Sequence, residues 1–200
     1  MEAVPYEDRL RQDRRFARRE ADCFFGRPVY ATVEAIGRKL DDVGIPYALI
    51  GSAAIGQYGL DRSYGEIDLL VTNAGLEKFR ESCADFGCAP SGARTFYSAT
   101  GVKIRFRVTG QFPGDGSPKA IAFPDPAVAA VDIAGLRVIA LENLIELSLA
   151  SGRLEDTADI PNLIRDAYLP EDLADRLDPS VREEYLTYWR AAQIKDPFDE

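Results

Sequence analysis

Two short apolar runs, separated by a stretch of small residues, constrain this chain most. The first, YALIG at 47–51, follows a helix stop at Gly44 and a proline at Pro46. The second, EIDLLVT at 66–72, opens with two acids spaced i, i+2. Runs this short, bounded by breakers, read as strands, the first of them buried. The SAAIGQYGL segment between them starts a short helix after Gly51, with Ser52 in the N-cap position. A strand, helix, strand unit commits the chain to a layered fold in which helices cover a sheet.

The rest of the patterning agrees. Val29, Val33, Ile36, Leu40 and Val43 recur at helical spacing over 29–43, and residues 75–86 read as a second helix. Residues 95–99 and 102–108 read as a hairpin pair. In the second arm Val102, Ile104, Phe106 and Val108 face one way, and Lys103, Arg105 and Arg107 the other. Residues 110–126 hold five Gly or Pro in their first nine positions and form an irregular loop. A short hairpin turns at Ala134-Gly135, and helices follow over 141–152, around Pro161, and over 180–193. The expected class is α/β (α+β), a small mixed β-sheet flanked by helices with a helical C-terminal extension. Three segments are expected: a charged helix or arm at 1–28, the α/β domain at 29–168, and a helical tail at 169–200 packed on it. In the first, Arg9, Arg11, Arg14, Arg15, Arg18 and Arg19 alternate with acids and read as a solvated face.

Composition narrows the chemistry. The chain has 200 residues and a net charge of −9, a poor match to a general nucleic-acid coat. It contains no histidine, which removes His-based zinc sites, Ser-His-Asp and Cys-His catalysis and a histidine pH switch. Cys23, Cys83 and Cys88 lack C-x-x-C spacing and read as reduced thiols in an intracellular protein. No apolar stretch is long enough to span a bilayer, and the N-terminal residues lack a signal-peptide core. The expected location is the cytoplasm, with no membrane partner.

The site signals concentrate at 47–72. Gly51 permits close backbone approach at a strand end. Glu66 and Asp68 lie on one face of the following strand. Two adjacent carboxylates are unfavourable without a cation, and Mg²⁺ shared with phosphate oxygens satisfies them. Alone, Glu-x-Asp reads more readily as a solvated strand edge, and Gly-Ser equally as a plain turn. Together, in this order, Gly51-Ser52 and Glu66-Ile67-Asp68-Leu69 resemble the signature of the nucleotidyltransferase superfamily. Arg62, four residues before Glu66, matches a basic residue of that pattern. FPGDG at 112–116, AFPDP at 122–126, LENLIELSLASGR at 141–153, and Asp156 with Asp159 resemble the abortive-infection (AbiEii-type) toxin branch.

The resemblance implies the nucleotidyltransferase fold and transfer of a nucleotidyl group from a nucleoside triphosphate to an RNA or protein hydroxyl. Glu66 and Asp68 would be catalytic and hold Mg²⁺ or Mn²⁺; Gly51, Ser52 and Arg62 would hold the nucleotide. The implied partners are a nucleoside triphosphate and an RNA, such as a tRNA, or a protein. The chain departs from the pattern at Glu66, where Asp is usual, at Arg105, where a third carboxylate is expected, and at Ser148, where a phosphate-contacting Lys is expected. Asp115 and Asp132 are the candidate replacements for the third acid, Asp132 also fitting an ordinary turn role. Tyr185 and Trp189 read as a packing pair. Two functions therefore stand side by side. One is an active, toxin-like metal-dependent transferase. The other is a degenerate member that binds a nucleotide, an RNA or a protein.

Overall fold

Helix α1 (Val29–Asp42) buries Val29, Val33, Ile36 and Leu40, as its spacing predicts, but Val43, expected on the same face, lies past the helix end and is exposed, and the chain turns away through Gly44 at φ +65°. The computed structural model describes residues 29–60 and 65–194, so the charged segment expected at 1–28 lies outside the described residues. Strands β1 (Tyr47–Ile50), β2 (Glu66–Val71), β3 (Cys88–Pro90), β4 (Thr95–Ser98), β5 (Lys103–Val108), β6 (Ala130–Ile133) and β7 (Leu136–Ile139) form one sheet in the order β3-β4-β5-β2-β1-β7-β6. Strand β2 runs antiparallel to β1 and parallel to β5, and β1 runs parallel to β7. The outer pairs are antiparallel. The sheet is therefore mixed and helix-flanked, the α/β class expected from the sequence.

Helices α2 (Gly51–Gln57), α3 (Asn73–Glu81), α4 (Pro126–Ala129), α5 (Leu141–Ser151), α6 (Leu154–Thr157), α7 (Ile160–Asp166) and α8 (Arg182–Ala192) connect and cover it. Strand β1, buried along its whole length, lies between β2 and β7, which explains its unbroken apolar run. On β5, Ile104, Phe106 and Val108 are buried and Lys103, Arg105 and Arg107 lie on the opposite, more open face. Under β4 and β5, Phe79 packs against Phe86, Phe96 and Phe106 with ring centroids 4.7, 5.0 and 4.6 Å away. Cys88 is buried near this cluster and Cys83 partly so, both as free thiols.

The differences from the sequence expectations are local. Strand β3 is three residues long and ends in proline, too short for a periodic signal. Helix α3 starts earlier than residue 75, because the Thr72 hydroxyl accepts a hydrogen bond from the Gly75 N–H at 3.0 Å. Removing that cap in Thr72→Ala should cost about 1 kcal/mol. The expected thermal midpoint is lower by about 2–4 °C; an unchanged midpoint would show that the cap contributes nothing. The last helix starts at Arg182 rather than 180, since the Asp178 carboxylate accepts bonds from the Ser180 N–H and hydroxyl at 2.9 and 2.6 Å and holds a turn there.

Residues past 168 form a 3₁₀ turn (Glu171–Arg176) and α8. Tyr185 is fully buried and donates to the Pro170 carbonyl at 2.9 Å, while the Trp189 indole donates to that of Leu169 at 3.0 Å. Both are packing residues, as their spacing predicts. Glu146 of α5 accepts from the Asp178 N–H at 2.7 Å. Among the described residues, no helix is long and apolar enough to cross a membrane.

Candidate functional site

Strand β1 delivers Ile50 directly opposite Asp68 of β2. The next residue, Gly51, turns the chain from strand into helix at φ +64°, a left-handed conformation that strains any other residue. A methyl group there would also stand 3.2 Å from Asp68 Oδ2. The backbone conformation calls for glycine, and the close approach of Asp68 adds to the cost of any side chain there. Ser52 is not the cap expected from the sequence: α2 begins at Gly51, Ile50 takes the cap position, and no side chain caps the helix. The left-handed turn at Gly51 leaves no extended residue between strand and helix, so Ser52 falls within the first turn. Gly51, Ser52, Glu66 and Asp68 nevertheless line one cleft of about 480 Å³.

The facing wall comes from elements far along the chain. Phe112, Pro113, Gly114 and Phe123 of the irregular loop line it, and so do Ser148 and Ser151 of α5. The loop is held to the end of α5 by Lys119, whose ammonium donates to the Ala150 and Ser151 carbonyls, each at 3.0 Å. Its two limbs are tied where Gly110 N–H meets the Phe123 carbonyl and Phe123 N–H meets that of Gln111, both at 2.8 Å. Arg153, Glu155 and Asp156 close the rim, with Arg153 and Glu155 paired.

The parallel pairing of β2 and β5 sets the electrostatics. It places Glu66 beside Lys103, Asp68 beside Arg105, and Leu70 beside Arg107. Arg105 grips Asp68 with both arms of its fork, Nε to Oδ1 at 2.8 Å and a terminal nitrogen to Oδ2 at 2.7 Å. The same terminal nitrogen lies 2.5 Å from Glu66 Oε1, and Lys103 Nζ lies 3.2 Å from Glu66 Oε2. The hydrogen bonds that Arg105 donates to Asp68 raise the Arg105 pKa further above its ordinary value, against the opposing effect of burial, with the charges of Asp68, Glu66 and Asp156 adding to the rise. The guanidinium is a permanent cation at the point where the sequence pattern calls for a third carboxylate.

This arrangement does not fit a divalent ion. Every oxygen of Glu66 and Asp68 faces a protein cation. Asp156 lines the cleft but acts on Arg105 through charge alone. Among the described residues, no three His, Cys, Asp or Glu side chains gather to hold a metal. The two candidate replacements are engaged elsewhere. Asp132 accepts from the Gly135 N–H at 3.2 Å in its hairpin turn. Asp115 accepts from the Ser117 N–H and hydroxyl at 3.0 and 2.7 Å, contacts that hold its carboxyl below the usual range. Ser148 does line the cleft, with its hydroxyl bonded back to the Leu144 carbonyl at 2.9 Å. Asp159 is buried at the start of α7, outside the cleft lining. Arg62 lies outside the described residues.

Sequence reasoning missed the contribution of Arg107, Phe112 and Phe123. The basic alternation on β5 was legible; which of its cations lacks a carboxylate neighbour follows only from the pairing with β2.

No family model matches this sequence, and no curated protein matches it. Among the solved structures that share part of its arrangement, three stand at 16% sequence identity. The antibiotic-resistance factor ANT(2'')-Ia has a TM-score of 0.45, covering 80% of this chain and 90% of its own. JHP933 from Helicobacter pylori has a TM-score of 0.44, covering 84% and 83%. A further H. pylori protein, provisionally assigned as a nucleotidyltransferase, has a TM-score of 0.42, covering 84% and 82%. Likeness at this level, with TM-scores under 0.5, carries no functional conclusion.

Proposed function

We propose that this chain is a nucleotidyltransferase-like protein that has kept a nucleotide cleft and lost the metal chemistry, so that it binds a nucleoside triphosphate without a divalent ion. The observation that carries this reading is the two-armed hold of Arg105 on Asp68, with Glu66 shared between Arg105 and Lys103. A bound cation is what the acid pair would otherwise require, and here the protein supplies its own. The cleft volume of about 480 Å³ falls within the range of small-molecule sites. Phe112 and Phe123 line the cleft and would supply aromatic surface to a base, and Gly51 and Ser52 line it where the backbone would approach a phosphate chain.

A second reading is an active, toxin-like transferase of the AbiEii type that modifies an RNA or protein hydroxyl. The convergence of Gly51, Ser52, Glu66 and Asp68 on one cleft favours it. It requires Arg105 to leave the acid pair.

Thermal melting with each of the four nucleoside triphosphates, in EDTA and then with Mg²⁺ or Mn²⁺, separates the two. Ligand at ten times its Kd adds about 1.4 kcal/mol to the folded state. The expected result is a rise of about 3–5 °C with at least one nucleotide in EDTA. A rise seen only with metal would support the transferase. A flat response in both buffers would remove nucleotides as the ligand.

A further inference from the structure

Strands β2 and β5 set three pairs of residues side by side along the cleft face: Glu66 with Lys103, Asp68 with Arg105, and Leu70 with Arg107. The first two are opposite charges in contact, at 3.2 Å for Lys103 and 2.7–2.8 Å for Arg105. Cross-strand pairs of this kind neutralise each other. The ladder of pairs ends at Leu70, an apolar residue buried in the core. Arg107 continues the basic row with no carboxylate beside it. Its guanidinium has no hydrogen bond or ion pair to any described residue, is partly shielded from solvent, and lines the same cleft as Phe112 and Phe123. The two acids of β2 on that face are already held by Lys103 and Arg105. Arg153, the other rim cation, is paired with Glu155.

A half-buried arginine without a partner forgoes the charge-assisted hydrogen bonds for which its fork is suited. An anion with two or more oxygens satisfies it, and phosphate is the group whose geometry matches that fork. We infer that the part of the cleft at Arg107 is an anion subsite that takes a phosphate group of the ligand by direct contact, with no metal between them. The inference deepens the nucleotide-binding reading and rests on it for the identity of the whole ligand. It assigns Arg107 a role that neither the acid pair nor the Gly51-Ser52 turn supplies.

The test uses inorganic tripolyphosphate and the four nucleoside triphosphates as probes, in EDTA, on the full chain. Binding is measured by calorimetry for the parent, Arg107→Met and Arg107→Lys, with each variant's thermal midpoint as a check on folding. The parent should bind tripolyphosphate, and Arg107→Met should weaken this by about tenfold to a hundredfold. Arg107→Lys should recover part of the loss, since it restores charge without the fork; a purely structural role for Arg107 would not produce that recovery. Equal binding by parent and Arg107→Met overturns the subsite, even if nucleotides bind elsewhere in the cleft. No binding of any probe by the parent overturns it together with the nucleotide reading. Binding of tripolyphosphate, sensitive to Arg107 but no tighter for any nucleotide, supports the subsite and removes only the nucleoside part of the reading.

Discussion

Arg105→Ala should lower the stability of the folded state by about 2–4 kcal/mol and open the acid pair to divalent ions. The size follows from what the substitution leaves behind. Glu66 and Asp68 sit on one strand face two residues apart, and without Arg105 only Lys103 remains in contact with either. Removing one partner of a fully buried ion pair costs about 3–5 kcal/mol, because the other charge stays desolvated. Here the Arg105 side chain is 32% exposed and Asp68 13%, so water screens part of the loss and the expected cost is smaller. Chemical denaturation measures it. A loss below about 0.5 kcal/mol would mark the pair as an ordinary surface contact.

The second arm of the same prediction concerns metal. Arg105→Asp places a third carboxylate in register with Asp68 on the neighbouring strand. Mn²⁺ followed by electron paramagnetic resonance should show no saturable site in the parent and a saturable one in Arg105→Asp. That site should disappear when Asp68→Asn is added. Mn²⁺ should also raise the midpoint of Arg105→Asp while leaving the parent unchanged, since an ion that binds only the folded state stabilises it by mass action. Saturable Mn²⁺ binding by the parent, lost in Asp68→Asn, would show that Arg105 yields to metal and would return the site to the transferase reading.

Gly114→Ala should be more damaging than Gly116→Ala, although the two glycines share a loop and a backbone conformation. Gly114 has φ +73° and Gly116 has φ +80°, so alanine is strained at both, at about 1–2 kcal/mol. Their surroundings differ. A methyl group on Gly116 meets nothing within 4 Å, whereas on Gly114 it is driven into the Ser151 carbonyl oxygen and lies 3.0 Å from Lys119 Nζ. Neither backbone can give way without breaking the Lys119 bonds that tie the loop to the end of α5. The expected cost is about 1–2 kcal/mol for Gly116→Ala and about 3–4 kcal/mol for Gly114→Ala. Gly114 lines the cleft, so its substitution should also weaken ligand binding while Gly116→Ala leaves it unchanged. Thermal melting and limited proteolysis of the loop measure both effects. Equal midpoints for the two variants would show that the loop is not seated on α5.

Much of this was readable in advance, for identifiable reasons. Helical spacing at 29–43, strict alternation at 102–108 and the turn at Ala134-Gly135 are short-range signals. Each reports the side-chain period or backbone freedom of its own segment, and each matches the structure except at Val43, which lies past the helix end and is exposed. The convergence of Gly51, Ser52, Glu66 and Asp68 was legible because they lie within eighteen residues, on one strand–helix–strand unit. The early start of α3 was less so, since it depends on one hydroxyl reaching one N–H.

The charge state of the cleft lay beyond any such signal. Arg105 stands out in the sequence as a cation where an acid is expected. That it closes on Asp68 and Glu66, and that Arg107 is left facing Leu70, depends on the parallel pairing of β2 with β5. These strands meet across more than thirty intervening residues. Pairing register shifts which side chains are neighbours while leaving each strand's own pattern unchanged. The aromatic wall depends likewise on Lys119 anchoring a loop to the end of α5, more than thirty residues further along. Local order along the chain therefore specifies the elements and the Gly51–Asp68 unit. Contacts between distant segments, which carry no periodic trace in either one, specify which charges in the cleft are paired and which is left for a ligand.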